Sequence, residues 1–377
     1  MTLPAVIGLI IIAAILWEAF ETVVLPRRVM RRLRLTVLFY RLTWIPWRAI
    51  ARGLQKAKKR ESFLSYYGPL SLLFLFVFWA IALIVGFGLL YYSSSTADST
   101  HPTFLKCLYL SGTTFFTLGI GDVLPHTTVE RILAVVESGL GFGFLALVLS
   151  YLPVIYQAFS RREVNIVLLD ARAGSPPTAT ELLLRHSGPS GLEELQQLFH
   201  EWERWLAEIL ESHVSYPVVS YFRSQHNNES WLGALAAILD ACALLIACFE
   251  DAGSRQARLT FAICRHTVVD LAQVFYAAPR SPPADRLSSA ELRRMHAALA
   301  KAGWRLSDTS AANAKLAELR EMYEPYLQAL AAHLFVELPP WILATEITDN
   351  WRTSAWGRIS GFKAILDKNP ALDDHSD

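Results

Sequence analysis

The sequence predicts an all-α membrane protein, with spanning helices in the first 160 residues and an all-α domain after them. Three observations carry this. Of 377 residues, 53% are hydrophobic and only 18% charged, too apolar for an average soluble chain. Three stretches near the N-terminus reach the roughly 20 apolar residues that a helix needs to cross a bilayer. Beyond Ser160, apolar residues recur at helical spacing between breaks rich in Gly, Pro and Ser. Disorder and a fibrous protein are excluded by the same composition. The 35 Lys and Arg nearly cancel the 34 Asp and Glu, so bulk charge points to no nucleic-acid partner. Cys107, Cys242, Cys248 and Cys264 form no C-x-x-C pair, which excludes a zinc ribbon or a thioredoxin-like site and leaves them as small buried residues.

Four segments follow in order. Residues 1–30 hold the first span, Leu3 to Leu25, which keeps Glu18 and Glu21 and lacks the cleavage site of a signal peptide. These two acids sit toward one end of the span, where pairing with nearby arginines is expected. Residues 31–67 form a basic helical linker. Within it Arg41, Arg48, Arg52, Lys56 and Lys59 recur opposite Leu38, Leu42, Trp44 and Ile45, the pattern of a helix lying in the headgroup plane. Two readings of those cations stand side by side, binding of anionic lipid and plain topological charge. Residues 68–160 carry the second span, Gly68 to Tyr92, and the third, Ile132 to Phe159. The linker is rich in Lys and Arg, while Ser93 to Pro102 has none, so the N-terminus is expected outside and the C-terminus in the cytoplasm.

Residues 161–377 read as a helical cytoplasmic domain. Leu195, Leu198, Trp202, Trp205 and Ile209 make one apolar stripe, and Leu287 to Trp304 and Asn313 to Val336 repeat the pattern. Val164 to Asp170 has the composition of a short strand. Trp231 to Phe249 is apolar enough to cross a membrane, but one crossing would put Arg255, Arg258 and Arg265 outside, so a buried core helix is expected there. His200-Glu-Trp-Glu203 lacks the second His of a zinc-protease motif, no nucleophile elbow occurs, and no enzyme is expected.

Between the second and third spans, Pro102 to Phe115 is apolar and too short to cross, so it must re-enter as a short helix. Non-helical backbone at membrane depth is tolerated where it is buried in protein or lines a water-filled path. Thr117-Leu118-Gly119-Ile120-Gly121-Asp122 meets that demand, because glycines at alternate positions permit positive φ and let successive carbonyls face one side.

This arrangement of span, re-entrant helix, T-x-G-x-G-D and span resembles the potassium-channel superfamily over about Gly68 to Phe159. The resemblance implies a pore module of outer helix, pore helix, filter and inner helix. Thr117, Leu118, Gly119, Ile120 and Gly121 would bind potassium through their carbonyls, the only metal sites implied, and Asp122 would anchor the outer end. One copy of the motif implies a homotetramer, with potassium as permeant ion and no cofactor. Gly141 lies 20 residues after Gly121, where such channels place a gating hinge, although Gly139, Gly141 and Gly143 also suit close helix packing. Glu137, one turn earlier, reads as pore support or as a packing residue. Where the commonest filter has Thr, Val and Tyr, this chain has Phe116, Leu118 and Ile120, so the usual Tyr hydroxyl beside the filter is missing; a weakly selective cation channel is one alternative, and a non-conducting membrane scaffold or sensor is the other.

Overall fold

The computed structural model describes residues 2–25, 35–94, 103–225, 229–249, 254–281 and 284–344. The chain divides into two units, Met1–Gln157 and Ala158–Asp377, and every regular element among the described residues is a helix.

In the first unit, α1 (Leu3–Ala19) ends in a π-helical turn, Phe20–Val24. It packs along α4 (Tyr67–Ser94) through a glycine crossing: a Cβ on Gly8 would lie 2.6 Å from the Gly86 carbonyl oxygen, and one on Gly86 2.7 Å from Ile12. Small residues that let backbones meet are a common way to join helices in lipid, where apolar burial gives no drive. The basic linker folds as two helices rather than one, α2 (Leu35–Gly53) and α3 (Ala57–Ser65), with Gly53 ending the first. Leu38, Leu42 and Ile45 are exposed, but Trp44 is buried against Tyr67 at 4.6 Å between ring centroids. Trp47 stacks on Phe63 at 4.5 Å, and the Thr43 and Tyr67 hydroxyls are 2.9 Å apart, so aromatic packing fastens both linker helices to the start of α4. The short helix α5 (Phe104–Phe115) follows, then α6 (Thr128–Ala173), 46 residues long.

The expected strand at Val164 to Asp170 is instead the last part of α6, whose residues 158–173 belong to the second unit. One face of this stretch is covered: Ile166 and Leu169 are buried, while Val164 and Leu168 are exposed. Arg162 is also buried, donating to the carbonyls of Val219 at 2.9 Å and Phe222 at 2.7 Å and pairing with Glu163 at 2.9 Å. That satisfies a buried guanidinium.

The rest of the second unit comprises α7 (Ala179–Arg185), α8 (Gly191–Ser215), a 3₁₀ turn (Pro217–Tyr221), α9 (Trp231–Cys248), α10 (Ser254–Val274), α11 (Ser289–Lys301), α12 (Ser310–Glu321) and α13 (Glu324–Leu334). The five-residue stripe of α8 is wholly buried. Every residue of α9 from Trp231 to Leu245 is buried inside the unit, so this apolar helix is the domain's core and its length is spent on protein contacts. The expected single helix from Asn313 to Val336 is two, because Pro325 has no N–H to give and its ring clashes in a helix interior; it sits in the first turn of α13. At α11 a Ser288–Glu291 capping box sets the start.

Asp240, buried in the middle of α9, meets Arg286, whose side chain is largely covered. The guanidinium donates to Asp240 at 3.0 and 3.1 Å, to Glu324 at 2.7 and 2.8 Å and to the Pro339 carbonyl at 2.8 Å, while the Tyr323 hydroxyl donates to Asp240 at 2.6 Å. Two carboxylates share one cation, so one of them must bear the cost. Burial pushes Asp240 up to about 6. Burial also raises Glu324, but its hydrogen bonds with Arg286 outweigh that and hold it below the ordinary value.

Candidate functional site

The site grows from the C-terminal end of α5. The Phe116 N–H bonds the Gly112 carbonyl at 3.1 Å and the Thr117 N–H bonds Thr114 at 2.9 Å, which closes the last turn. The Thr113 carbonyl then accepts from Leu118 N–H at 2.8 Å and Gly119 N–H at 3.4 Å, so the helix itself holds the first residues of the strand that leaves it. In that strand φ is +56° at Thr117, +56° at Gly119 and +86° at Gly121, and Leu118 and Ile120 between them are not positive. Alternating hands of this kind turn successive carbonyls to one side. Glycine takes such φ freely, whereas a β-branched Thr there carries strain of ~1–3 kcal/mol, which the Thr113 and Thr114 contacts on either side of it must sustain. Leu118 and Ile120 are 63% and 60% exposed in the single chain, leaving this strand without protein cover on its outer side.

Asp122 closes the segment. Its carboxylate takes a hydrogen bond from the Tyr109 phenol of α5 and another from the Val123 N–H at 3.0 Å. Behind α5, Glu137 of α6 is fully buried and accepts from the Tyr91 hydroxyl of α4 at 2.8 Å and from the Ser111 hydroxyl of α5. The Ser111 hydroxyl also lies 2.8 Å from the Ile84 carbonyl of α4. Gly141 lies against the last residue of α5: a Cβ there would be 1.9 Å from the Phe115 carbonyl oxygen, while Gly139 and Gly143 meet nothing within 4 Å. The close-packing use of these glycines therefore falls to Gly141, and α6 passes through it unbroken.

Thr117 to Asp122, Glu137 and Gly141 are thus gathered around one end of α5, on residues that sequence reading picked out. Tyr91, Tyr109, Ser111 and Thr113 join them and had no motif of their own to reveal them. Glu130 also went unread. It accepts the N–H groups of His126 at 2.7 Å and Thr127 at 3.2 Å, while its own N–H bonds the Thr127 hydroxyl, a capping box whose T-x-x-E signature stands in the sequence. Glu18 and Glu21 lie apart from the site: Glu18 accepts the Thr36 N–H at 2.9 Å and Glu21 the Trp17 indole N–H at 2.6 Å. Arg27, Arg28, Arg31, Arg32 and Arg34 fall outside the described residues. Arg41 and Arg52 on α2, and Lys56 just after it, are exposed, and Arg48 is half-buried. Among the described residues no cluster of His, Cys, Asp and Glu could hold a metal ion.

Residues 76–157 match the family model Ion_trans_2, described as an ion channel, and that stretch contains all of α5, the strand after it and the first part of α6. Over 185 residues the chain is 23% identical to the uncharacterized membrane protein YdjJ of Bacillus subtilis (strain 168), covering 47% of this chain and about half, 53%, of that protein's length. No solved structure matches the chain. Among the described residues four helices are long and apolar enough to cross a membrane, α1 with its π-helical turn, α3 with α4, α6, and α9, of which α9 is almost wholly buried inside the protein; together with the ion-channel match over residues 76–157 they make the chain a multi-pass membrane protein.

Proposed function

We propose that this pore domain of the potassium-channel superfamily conducts potassium passively through a filter built by four copies of the chain. The observation that carries the reading is the left-handed backbone at Thr117, Gly119 and Gly121, every second residue of the filter motif. A row of carbonyls facing one axis replaces the water shell of a dehydrated cation, and one strand supplies only a quarter of each cage. The Thr117 hydroxyl adds ligands at the inner end, and Asp122, tied to Tyr109, holds the outer end. The uncovered Leu118 and Ile120 side chains are in keeping with neighbours that complete the ring.

In this reading α4 is the outer helix, α5 the pore helix and α6 the inner helix. Gating acts where α6 meets the pore helix at Gly141, because a bend there changes its contact with Phe115. The helical C-terminal domain regulates or assembles the tetramer. The N-terminus lies outside and the C-terminus in the cytoplasm, and Arg41, Arg48, Arg52 and Lys56 face anionic headgroups of the inner leaflet. Residues Phe116, Leu118 and Ile120 favour a second reading, a weakly selective cation channel, since no side-chain hydroxyl at position 120 ties the filter sideways.

Potassium-driven flux in proteoliposomes of the purified full chain tests the proposal, with Gly119→Ala as the comparison. Flux in the wild type that Gly119→Ala abolishes supports a conducting filter. Absence of flux in both, under every lipid and pH tried, would instead favour a non-conducting membrane scaffold.

A further inference from the structure

Resting on the pore reading, we infer that the buried cluster of Glu137, Tyr91 and Ser111 is the device that sets the filter's ion selectivity, doing from behind the pore helix what Ile120 cannot do beside the filter. Each link is a short contact. Glu137 on α6 takes the Tyr91 hydroxyl from α4 at 2.8 Å and the Ser111 hydroxyl from α5, so one carboxyl joins three helices. Ser111 also reaches the Ile84 carbonyl of α4 at 2.8 Å. Two residues farther along the same helix, the Thr113 carbonyl holds the N–H groups of Leu118 and Gly119. Phe115 is stopped by Gly141 on the other side.

Position therefore passes from Glu137 through Ser111 and one half-turn of rigid helix to the backbone of the first ion sites. In a filter that selects by snug fit, discrimination between potassium and the smaller sodium rests on carbonyls that resist closing in on the ion. Buried hydrogen bonds in apolar surroundings, fully partnered, supply that stiffness, since any displacement leaves a polar group unpaired. Tyr91 and Ser111 are positioning residues: neither lies in the filter motif.

The test is the reversal potential of the full chain in planar bilayers with potassium on one side and sodium on the other. Tyr91→Phe removes one hydroxyl and keeps the ring, and Glu137→Gln keeps a hydrogen-bonding amide in place of the carboxyl. The expected result is a sodium-to-potassium permeability ratio at least about threefold higher in Tyr91→Phe and higher again in Glu137→Leu, with Glu137→Gln nearer the wild type. Ser111→Ala should follow Tyr91→Phe. Should Glu137→Leu fail to fold, Tyr91→Phe and Ser111→Ala decide alone, since each deletes a single oxygen. A selective wild type whose ratio is unchanged in both overturns this inference and leaves the pore reading standing. A wild type without potassium preference overturns the inference together with the selective form of that reading.

Discussion

Replacing Gly141 by Ala is the sharpest structural perturbation available at this site. The added Cβ would sit 1.9 Å from the Phe115 carbonyl oxygen and 2.8 Å from its carbon. Carbon and oxygen settle at about 3.3 Å or more, so α6 and the end of α5 must separate by about 1.4 Å. Overpacking of that size costs ~1–3 kcal/mol. Alanine is otherwise the better helix former by up to ~1 kcal/mol, and Gly139→Ala and Gly143→Ala, with open space around both positions, carry that gain without the clash. The three substitutions should therefore differ in sign. Purified protein in detergent should melt lower for Gly141→Ala than for wild type, and at or above wild type for the other two. Because Phe115 lies two residues before Thr117, potassium flux should fall with Gly141→Ala as well. Equal melting and equal flux for Gly141→Ala and Gly143→Ala would refute the close contact on which the argument rests.

Removing Arg286 as Arg286→Ala leaves Asp240 and Glu324 buried without their cation, and the loss of ~3–5 kcal/mol expected for a broken buried pair should appear in chemical denaturation of the full chain. The same cluster gives a pH dependence of definite sign. Asp240 titrates at about 6 against an ordinary 3.8, so its contribution to stability is full below the ordinary value and is lost as pH rises through 6. Glu324, held low, changes only below its ordinary 4.5, so between about 4.5 and 6 the wild type should lose stability with rising pH more steeply than Asp240→Asn. Reporter fusions after Arg223 and after Ala278 should report the same side of the membrane, because α9 between them is a core helix; opposite sides would make it a span.

Much of the first unit was legible because a bilayer imposes strong rules. Length and apolar content gave the spans, and the positions of Gly119 and Gly121 foretold the positive φ observed at both. Thr117 was not foreseen as left-handed, since β-branched residues avoid that region, and the carbonyls of Thr113 and Thr114 that bond the N–H groups of Leu118 and Thr117 carry no sequence signal. The brace behind the pore helix was half legible: Glu137 stood out as an acid within a span, but its partners Tyr91 and Ser111 are ordinary residues whose meeting depends on how three helices pack. In the second unit the apolar stripe of α8 and the core role of α9 could be read from periodicity and charge. The length of α6 could not. Val164 to Asp170 has strand-like composition, and it is the burial of Arg162, Ile166 and Leu169 against its own unit that keeps it helical. The division of α12 from α13 was readable at Pro325. Arg286 carries no local signal, because its carboxylate partners lie 46 and 38 residues away in the chain.

The central claim is selective conduction through Thr117 to Gly121. Its most direct test is the reversal potential of the reconstituted full chain between potassium and sodium solutions, with Gly119→Ala as the blank. Selective conduction predicts a current that reverses at a strongly potassium-favouring voltage and vanishes in Gly119→Ala, where a Cβ burdens a φ of +56°. A reversal near zero, or a current indifferent to Gly119→Ala, would contradict it.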